Sequence, residues 1–233
     1  IGALIVKRVL GICLLLFLTG TAFSGDIASF QNLGFSENGK YFLFGQYGVI
    51  EKSLKLYAEL YTVDVRSNRF TPDGVKKATY DEELEPGQDG IGALFTLYRD
   101  AEQQQRQYDI NHMKTGRLLY ILVNGDEPKA NLSFRDFAAG RAYKIDLLQS
   151  ASGSGDNISA SFHINMTLTE KNGSEKHFTI GLPTYRRPGV KQYKIRQILL
   201  SPDSASMIFI VEKEEKTDSG VNIRYMVETV YIG

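Results

Sequence analysis

Residues 34–49, GFSENGKYFLFGQYGV, set an Asn-Gly pair, Asn38-Gly39, between two apolar runs, followed by aromatics at Tyr41, Phe42, Phe44 and Tyr47. Asn and Gly both accept positive φ, so the pair predicts a tight type I′ hairpin. Working outward, SFQNLGF (29–35) enters the turn and KLYAELYTVDV (55–65) follows a polar loop. In that third run Leu56, Ala58, Leu60 and Thr62 share one face of a strand, and Tyr57, Tyr61, Val63 and Val65 the other. RSNRFTPDG (66–74) closes the unit with turn residues. The reading is three antiparallel strands.

The centre of the chain changes character. DEELEPGQDG (81–90) is an acidic loop ending in a helix cap at Asp89. After it Ile91, Leu94, Phe95, Tyr98, Ala101 and Tyr108 recur at helical spacing. They predict one long amphipathic helix of about six turns, from Ile91 to about Lys114 and stopped by Gly116. Strand patterns resume at RLLYILVNGD (117–126), NLSFRDF (131–137) and AYKIDLLQ (142–149). SASGSGDN (150–157) is a polar loop tip, and Lys171-Asn172-Gly173 marks a second hairpin. The C-terminal third reads YKIRQILL, SPDS, SMIFIVEK, a polar loop and VNIRYMVETVYI. KYFLFGQY and SMIFIVEK carry apolar residues on both faces, more than one helix can cover. The sheets must therefore pack on one another, as a sandwich or a partial propeller-like arrangement, with the helix capping an edge or open end. The fold class is mainly β, antiparallel, with one long helix, in a single domain over residues 25–233.

Lys7-Arg8, the apolar run Val9–Leu18 and the small residues of TGTAFSGD form a secretory signal over residues 1–24. Cleavage after Ser24 is favoured, with Ala22 as runner-up, and Val6 serves as the start, read as Met. Ten apolar residues fall short of the ~20 that span a bilayer. The sole cysteine, Cys13, lies inside this run, so the mature chain has no thiol for disulfides, zinc or nucleophilic catalysis. From Gly25 onward, 25 basic residues face 27 acidic ones, a net charge of −2 that offers no global attraction for nucleic acid. The chain is expected in the bacterial periplasm or secreted medium, exported by a Sec-type signal.

The two ends resemble each other. Aligning Ser36 on Ser201 superposes Phe35 on Leu200, Asn38 on Asp203, Phe42 on Met207, Leu43 on Ile208 and Phe44 on Phe209. Such units look like blades of TolB-type or WD40-type propellers, although two copies do not complete one and simple hairpin convergence gives the same pattern. The mature chain as a whole resembles an uncharacterised bacterial family of predicted secreted proteins, a domain of unknown function. That resemblance is carried by Gly34-Phe35-Ser36, Gly39-Lys40-Tyr41-Phe42, Gln46-Tyr47-Gly48, the strand through Tyr57, Tyr61, Val63 and Asp64, Tyr193-Lys194-Ile195 and Asn222-Ile223-Arg224-Tyr225-Met226. It implies export and a β-rich fold, and brings no activity or site residues.

The chemistry-bearing motifs are few. G-x-S-x-G, S-x-x-K, H-E-x-x-H and Walker patterns are absent, and no cofactor is expected. His163 and His177 flank the 171–173 turn and could be cross-strand neighbours, with Glu175 near, but an exposed hairpin face explains them better than a metal. Asp81, Glu82, Glu83 and Glu85 lack the spacing of a calcium loop. Sequons at Asn131, Asn157, Asn165 and Asn172 have meaning only in a eukaryotic pathway. The patch YRRPGVKQYKIR (185–196) combines guanidinium forks with tyrosine faces. Arg186, Arg187, Lys191 and Tyr193 are its candidate anion- or ligand-binding residues, facing an envelope protein or an anionic envelope component. The bland alternative is a half-exposed strand in which Tyr193, Ile195, Gln197 and Leu199 alternate with Lys194 and Arg196. The leading functional reading is a non-catalytic binding or interaction module. Others are a hydrolase with an unrecognised carboxylate site and an assembly factor.

Overall fold

The computed structural model describes residues 25–50, 52–82, 84–85, 87–217 and 220–233. Residues 1–24, read from the sequence as a secretory signal and including Cys13, and Glu83 of the acidic loop, lie outside them. The described chain is mainly β. Four strands, β1 (Ser29–Ser36), β2 (Tyr41–Ile50), β3 (Lys55–Asp64) and β4 (Arg69–Tyr80), lead into the helices α1 (Ile91–Asp100) and α2 (Glu102–Gln107). Then come β5 (Ile110–Asn111), β6 (Arg117–Ile121), β7 (Asn131–Asp136), β8 (Arg141–Ser152), β9 (Ser159–Thr169) and β10 (Glu175–Ile180). The chain finishes with β11 (Arg187–Pro188), β12 (Val190–Leu200), β13 (Ser206–Thr217) and β14 (Gly220–Tyr231).

These strands form three antiparallel sheets. The amino-terminal sheet runs β4-β3-β2-β1-β5, the middle-chain sheet β10-β9-β8-β7 with β11 on β9, and the carboxy-terminal sheet β14-β13-β12-β6. Residue alternation decides how they stack. On β13, Met207, Phe209 and Val211 pack with Tyr143, Phe162 and Ile164 of the middle-chain sheet. Ile208 and Ile210, on the other face, pack with Phe42, Phe44 and Val63 of the amino-terminal sheet. The carboxy-terminal sheet is therefore buried on both sides, as an uninterrupted apolar run should be. A bidentate pair also ties Arg117 of β6 to Asp136 of β7, Nη1 to Oδ1 at 2.9 Å and Nη2 to Oδ2 at 2.5 Å.

The helix lies on the outer face of the amino-terminal sheet, not at an edge or open end. Ala93, Leu94 and Leu97 of α1 meet Leu56, Ala58 and Leu60 of β3. Leu94 sits over Gly45 of β2, where an added Cβ would come within 2.6 Å of Leu94 Cδ1. Phe95, predicted for the docked stripe, is 58% exposed. The long helix is also corrected. It breaks at Ala101, whose N–H is shared between the carbonyls of Leu97 and Tyr98, and ends at Gln107. Asp109 takes a positive φ of 51°, and Ile110–Asn111 pair with β1 instead. The sheet edge thus captures residues the helical periodicity had claimed. Tyr108 stays buried beyond the helix, its hydroxyl donating to the Pro72 carbonyl at 3.1 Å. Gly90 caps α1, while Asp89 Oδ1 accepts the Ile91 N–H at 3.1 Å.

The founding turn differs in type from its prediction. Only Gly39, with φ 69°, takes positive φ, whereas type I′ needs it at Asn38 too. Asn38 Oδ1 instead accepts the Ser36 hydroxyl and the Lys40 N–H, and Gly39 N–H donates to the Ser36 carbonyl. The turn at Ser201 repeats this arrangement bond for bond. Ser201 Oγ donates to Asp203 Oδ1 and accepts the Ser206 N–H at 2.9 Å, as Ser36 Oγ accepts the Tyr41 N–H at 2.9 Å. Ser204 holds the position of Gly39 with φ 58°. Both ends are up-and-down units, β1-β2-β3 and β12-β13-β14.

Candidate functional site

One side of the molecule opens between the sheets. The floor is the outer edge of β14, one wall is β3, β4 and the turn between them, and the other is the segment joining β10 to β11. The cleft has two lobes, of about 550 and 530 Å³, that share Phe70, Tyr185, Arg187 and Met226. Three large side chains stand open around it: Phe70, Leu182 and Tyr185, all more than half exposed.

Arg187 dominates the shared wall. Its guanidinium carbon lies 4.8 Å from the Tyr185 ring centroid, 5.6 Å from Phe162 and 5.9 Å from Tyr193. Stacking against aromatic faces orients the planar fork, which also approaches the Tyr193 hydroxyl. Its carboxylate neighbour is Glu228 of β14, at 4.0 Å and so beyond hydrogen-bonding distance. Glu228 is buried, and its Oε2 accepts the Asn68 amide at 2.5 Å. Burial pushes the Glu228 carboxyl above the usual carboxylate range, against the Asn68 bond and the charge of Arg187.

The second lobe holds a compact polar network. Glu59 of β3 accepts from Gln46 Nε2 at 2.6 Å and from the Tyr61 hydroxyl at 2.5 Å, and pairs with Lys77 at 2.8 Å. Burial raises the Glu59 carboxyl, but the bonds from Lys77, Tyr61 and Gln46 outweigh it and hold the group below its ordinary value. Tyr61 is pushed up to about 12 by burial and then by its bond to Glu59. Arg224 stacks 4.5 Å over Tyr57 and pairs with Asp26 at 3.2 Å, so its charge is answered within the fold.

The four residues predicted from the 185–196 patch do not converge. Arg187 faces the cleft. Tyr193 stands behind it in the core, its hydroxyl donating to the Ala160 carbonyl at 3.2 Å. Arg186 turns away to Ser150, Ser152 and Ser159, fastening the ends of β8 and β9. Lys191 pairs with Glu214 at 3.0 Å on β13. The expected strict alternation along β12 also fails, because a bulge between Ile195 and Gln197 shifts the register. Tyr193, Ile195, Ile198 and Leu200 consequently share one face, and Leu199 takes the other. Phe70, Asn68 and Glu228 were not singled out from the sequence. The available hint was Glu228, the one charged residue within the MVETVY run.

Nor are His163 and His177 cross-strand neighbours. His177 opposes Thr167, and His163 opposes Leu148 on the far side of β9. Among the described residues no group of three or more His, Cys, Asp or Glu side chains is placed to hold a metal ion. No described helix is long and apolar enough to cross a membrane.

Residues 43–231 match the family described as predicted secreted protein (DUF2259), a span that takes in β3 to β14, most of β2 and both walls of the cleft. The chain belongs to that family. No curated protein matches it. For a DUF2259 protein the cleft is a candidate site argued from its geometry alone, since the family description names secretion and no chemistry.

Proposed function

We propose that this DUF2259 protein is a periplasmic, non-catalytic binding module, exported by removal of residues 1–24, whose single domain recognises an anionic group in the Arg187 cleft. One observation carries the reading: a guanidinium fork stacked among three aromatic rings, lining an open cleft, with its carboxylate neighbour 4.0 Å away. A carboxylate or phosphate would satisfy the donors that Glu228 does not reach. The exposed side chains of Phe70, Leu182 and Tyr185 would supply apolar contact around it. Of the four candidates, Arg187 makes the contact and Tyr193 supports it, while Arg186 and Lys191 hold neighbouring strands. Three sheets stacked face to face, with matched turns at Ser36 and Ser201, support a partial propeller-like arrangement, in which clefts between sheets are natural binding places.

The test is a nuclear magnetic resonance titration of the mature chain with N-acetylglycine and, separately, with inorganic phosphate. At least one anion should move the Arg187 Nε–H resonance together with the backbone amides of Tyr185 and Glu228, and Arg187→Gln should abolish the shifts at those two amides. Silence from both anions refutes the site. The raised Glu228 carboxyl favours a second reading, a hydrolase with a general acid. Turnover of chromogenic esters or glycosides that is lost in Glu228→Gln would transfer the assignment to it.

A further inference from the structure

The floor of the cleft is a strand edge on which Val227 has no outward backbone partner among the described residues. β14 pairs with β13 without a register shift, so its amides point alternately toward β13 and away from it. The outward ones can be followed in turn. Ile223 N–H donates to the Asp26 carbonyl at 2.8 Å, Tyr225 N–H to Gln46 Oε1 at 2.8 Å and Thr229 N–H to Asn68 Oδ1 at 2.9 Å. By the same alternation Val227, midway between Tyr225 and Thr229, turns its N–H and C=O outward. It is half-buried, and it lines the same lobe as Arg187, Phe70 and Tyr185.

The geometry points to the carboxy-terminal end of an extended peptide as the ligand of this cleft, pairing with Val227 and placing its terminal carboxylate on Arg187. This rests on the Arg187 cleft being the recognition site. Three observations select that ligand over a bare anion or a continuous strand. An outward N–H and C=O on one residue is the complement of a single peptide residue added in antiparallel fashion. Gln46 and Asn68 already occupy the outward amides on either side, so a strand running through would have to displace both. A chain terminus needs no further pairing. The open side chains of Phe70, Leu182 and Tyr185 offer apolar contact to the last residues of the ligand, and Arg187 answers the charge at its end.

The experiment uses the mature protein labelled with nitrogen-15. It is titrated with an equimolar mixture of N-acetyl tetrapeptides randomised at the last two positions, once as free acids and once as C-terminal amides. The free acids should shift both the Val227 amide and the Arg187 Nε–H and slow solvent exchange at Val227. The amides should bind about tenfold more weakly or worse, the loss expected for one charge-assisted hydrogen bond. This comparison needs no variant, so it does not depend on any substitution folding. If N-acetylglycine or phosphate moves Arg187 while the peptides leave Val227 unchanged, the peptide inference falls and the anion-binding cleft stands. If peptide acids and amides bind equally, the carboxylate assignment is overturned. If nothing moves Arg187, both proposals fall together.

Discussion

The contact between α1 and the amino-terminal sheet can be tested through one pair of residues, Leu94 and Gly45. Leu94 is fully buried, and its methyl carbons occupy the space above Gly45 and against Leu60. Leu94→Ala removes buried methyl groups and leaves a cavity, at a cost of about 3 kcal/mol. Gly45→Ala inserts a Cβ within 2.6 Å of Leu94 Cδ1, an overlap that costs about 1–3 kcal/mol. Restricting the unfolded chain returns about 0.4–1 kcal/mol, so Gly45→Ala is the milder of the two. When Leu94→Ala is already in place the overlap with Leu94 is gone, only a 3.3 Å approach to Leu60 Cδ2 remains, and the methyl added at position 45 fills part of the cavity. The double variant should therefore be no less stable than Leu94→Ala alone, with a coupling of about 2 kcal/mol. Urea unfolding followed by circular dichroism reads all four corners of the cycle. In thermal terms Leu94→Ala lowers Tm by about 6–12 °C. Phe95→Ala, one residue on but largely exposed, should stay within about 0.5 kcal/mol of the parent. Additivity within about 0.5 kcal/mol, or equal effects at Leu94 and Phe95, would refute this docking.

Glu228 gives a pH signature. Its folded carboxyl lies above the unfolded value near 4.5, so between the two values the folded state binds more protons and stability falls as pH rises. Glu228→Gln should flatten that part of the Tm–pH curve and raise Tm above it; a parallel curve would show that Glu228 carries no such penalty. Ser36→Ala and Ser201→Ala should each cost about 1–3 kcal/mol, since each leaves a strand-start N–H, that of Tyr41 or Ser206, without its acceptor. Clearly unequal losses in urea unfolding would show that the two turns are not energetic equivalents. Intact mass of the exported protein should correspond to a start near Gly25, and retention of Lys7 and Arg8 would refute the signal reading.

Strand content was legible because it is written in local chemistry. The alternation of Leu56, Ala58 and Leu60 with Tyr57, Tyr61 and Val63 is fixed by the two-residue period of a strand, and both rows are buried where that period puts them. The apolar residues on both faces of SMIFIVEK likewise required a partner on each side. The serine pattern behind the Ser36–Ser201 alignment reflects real hydrogen bonds, which is why so short a similarity carried over. The helix was half legible. Periodicity marks where a helix can form, but Phe95 and Leu97 differ only in which one the sheet covers. The strand edge at Phe35–Ser36 then took Ile110 and Asn111 from the helix end.

The cleft was much less legible, for a physical reason. Arg186 and Arg187 are adjacent in sequence and the same in type, so composition and spacing treat them alike. Arg187 opens β11 while Arg186 lies just before it, and only the packing of the sheets decides that Arg187 meets Phe162, Tyr185 and Tyr193 while Arg186 meets the serines of β8 and β9. Asn68 and Glu228 are 160 residues apart and share no local pattern. By itself the sequence determined the β-rich class and the hairpins, because those depend on backbone preferences and on the period of apolar residues. The tertiary structure alone decided where the helix stops, which arginine faces the cleft and which β14 amide is left open. Each of those is settled by competition among distant groups for the same few places in a packed interior.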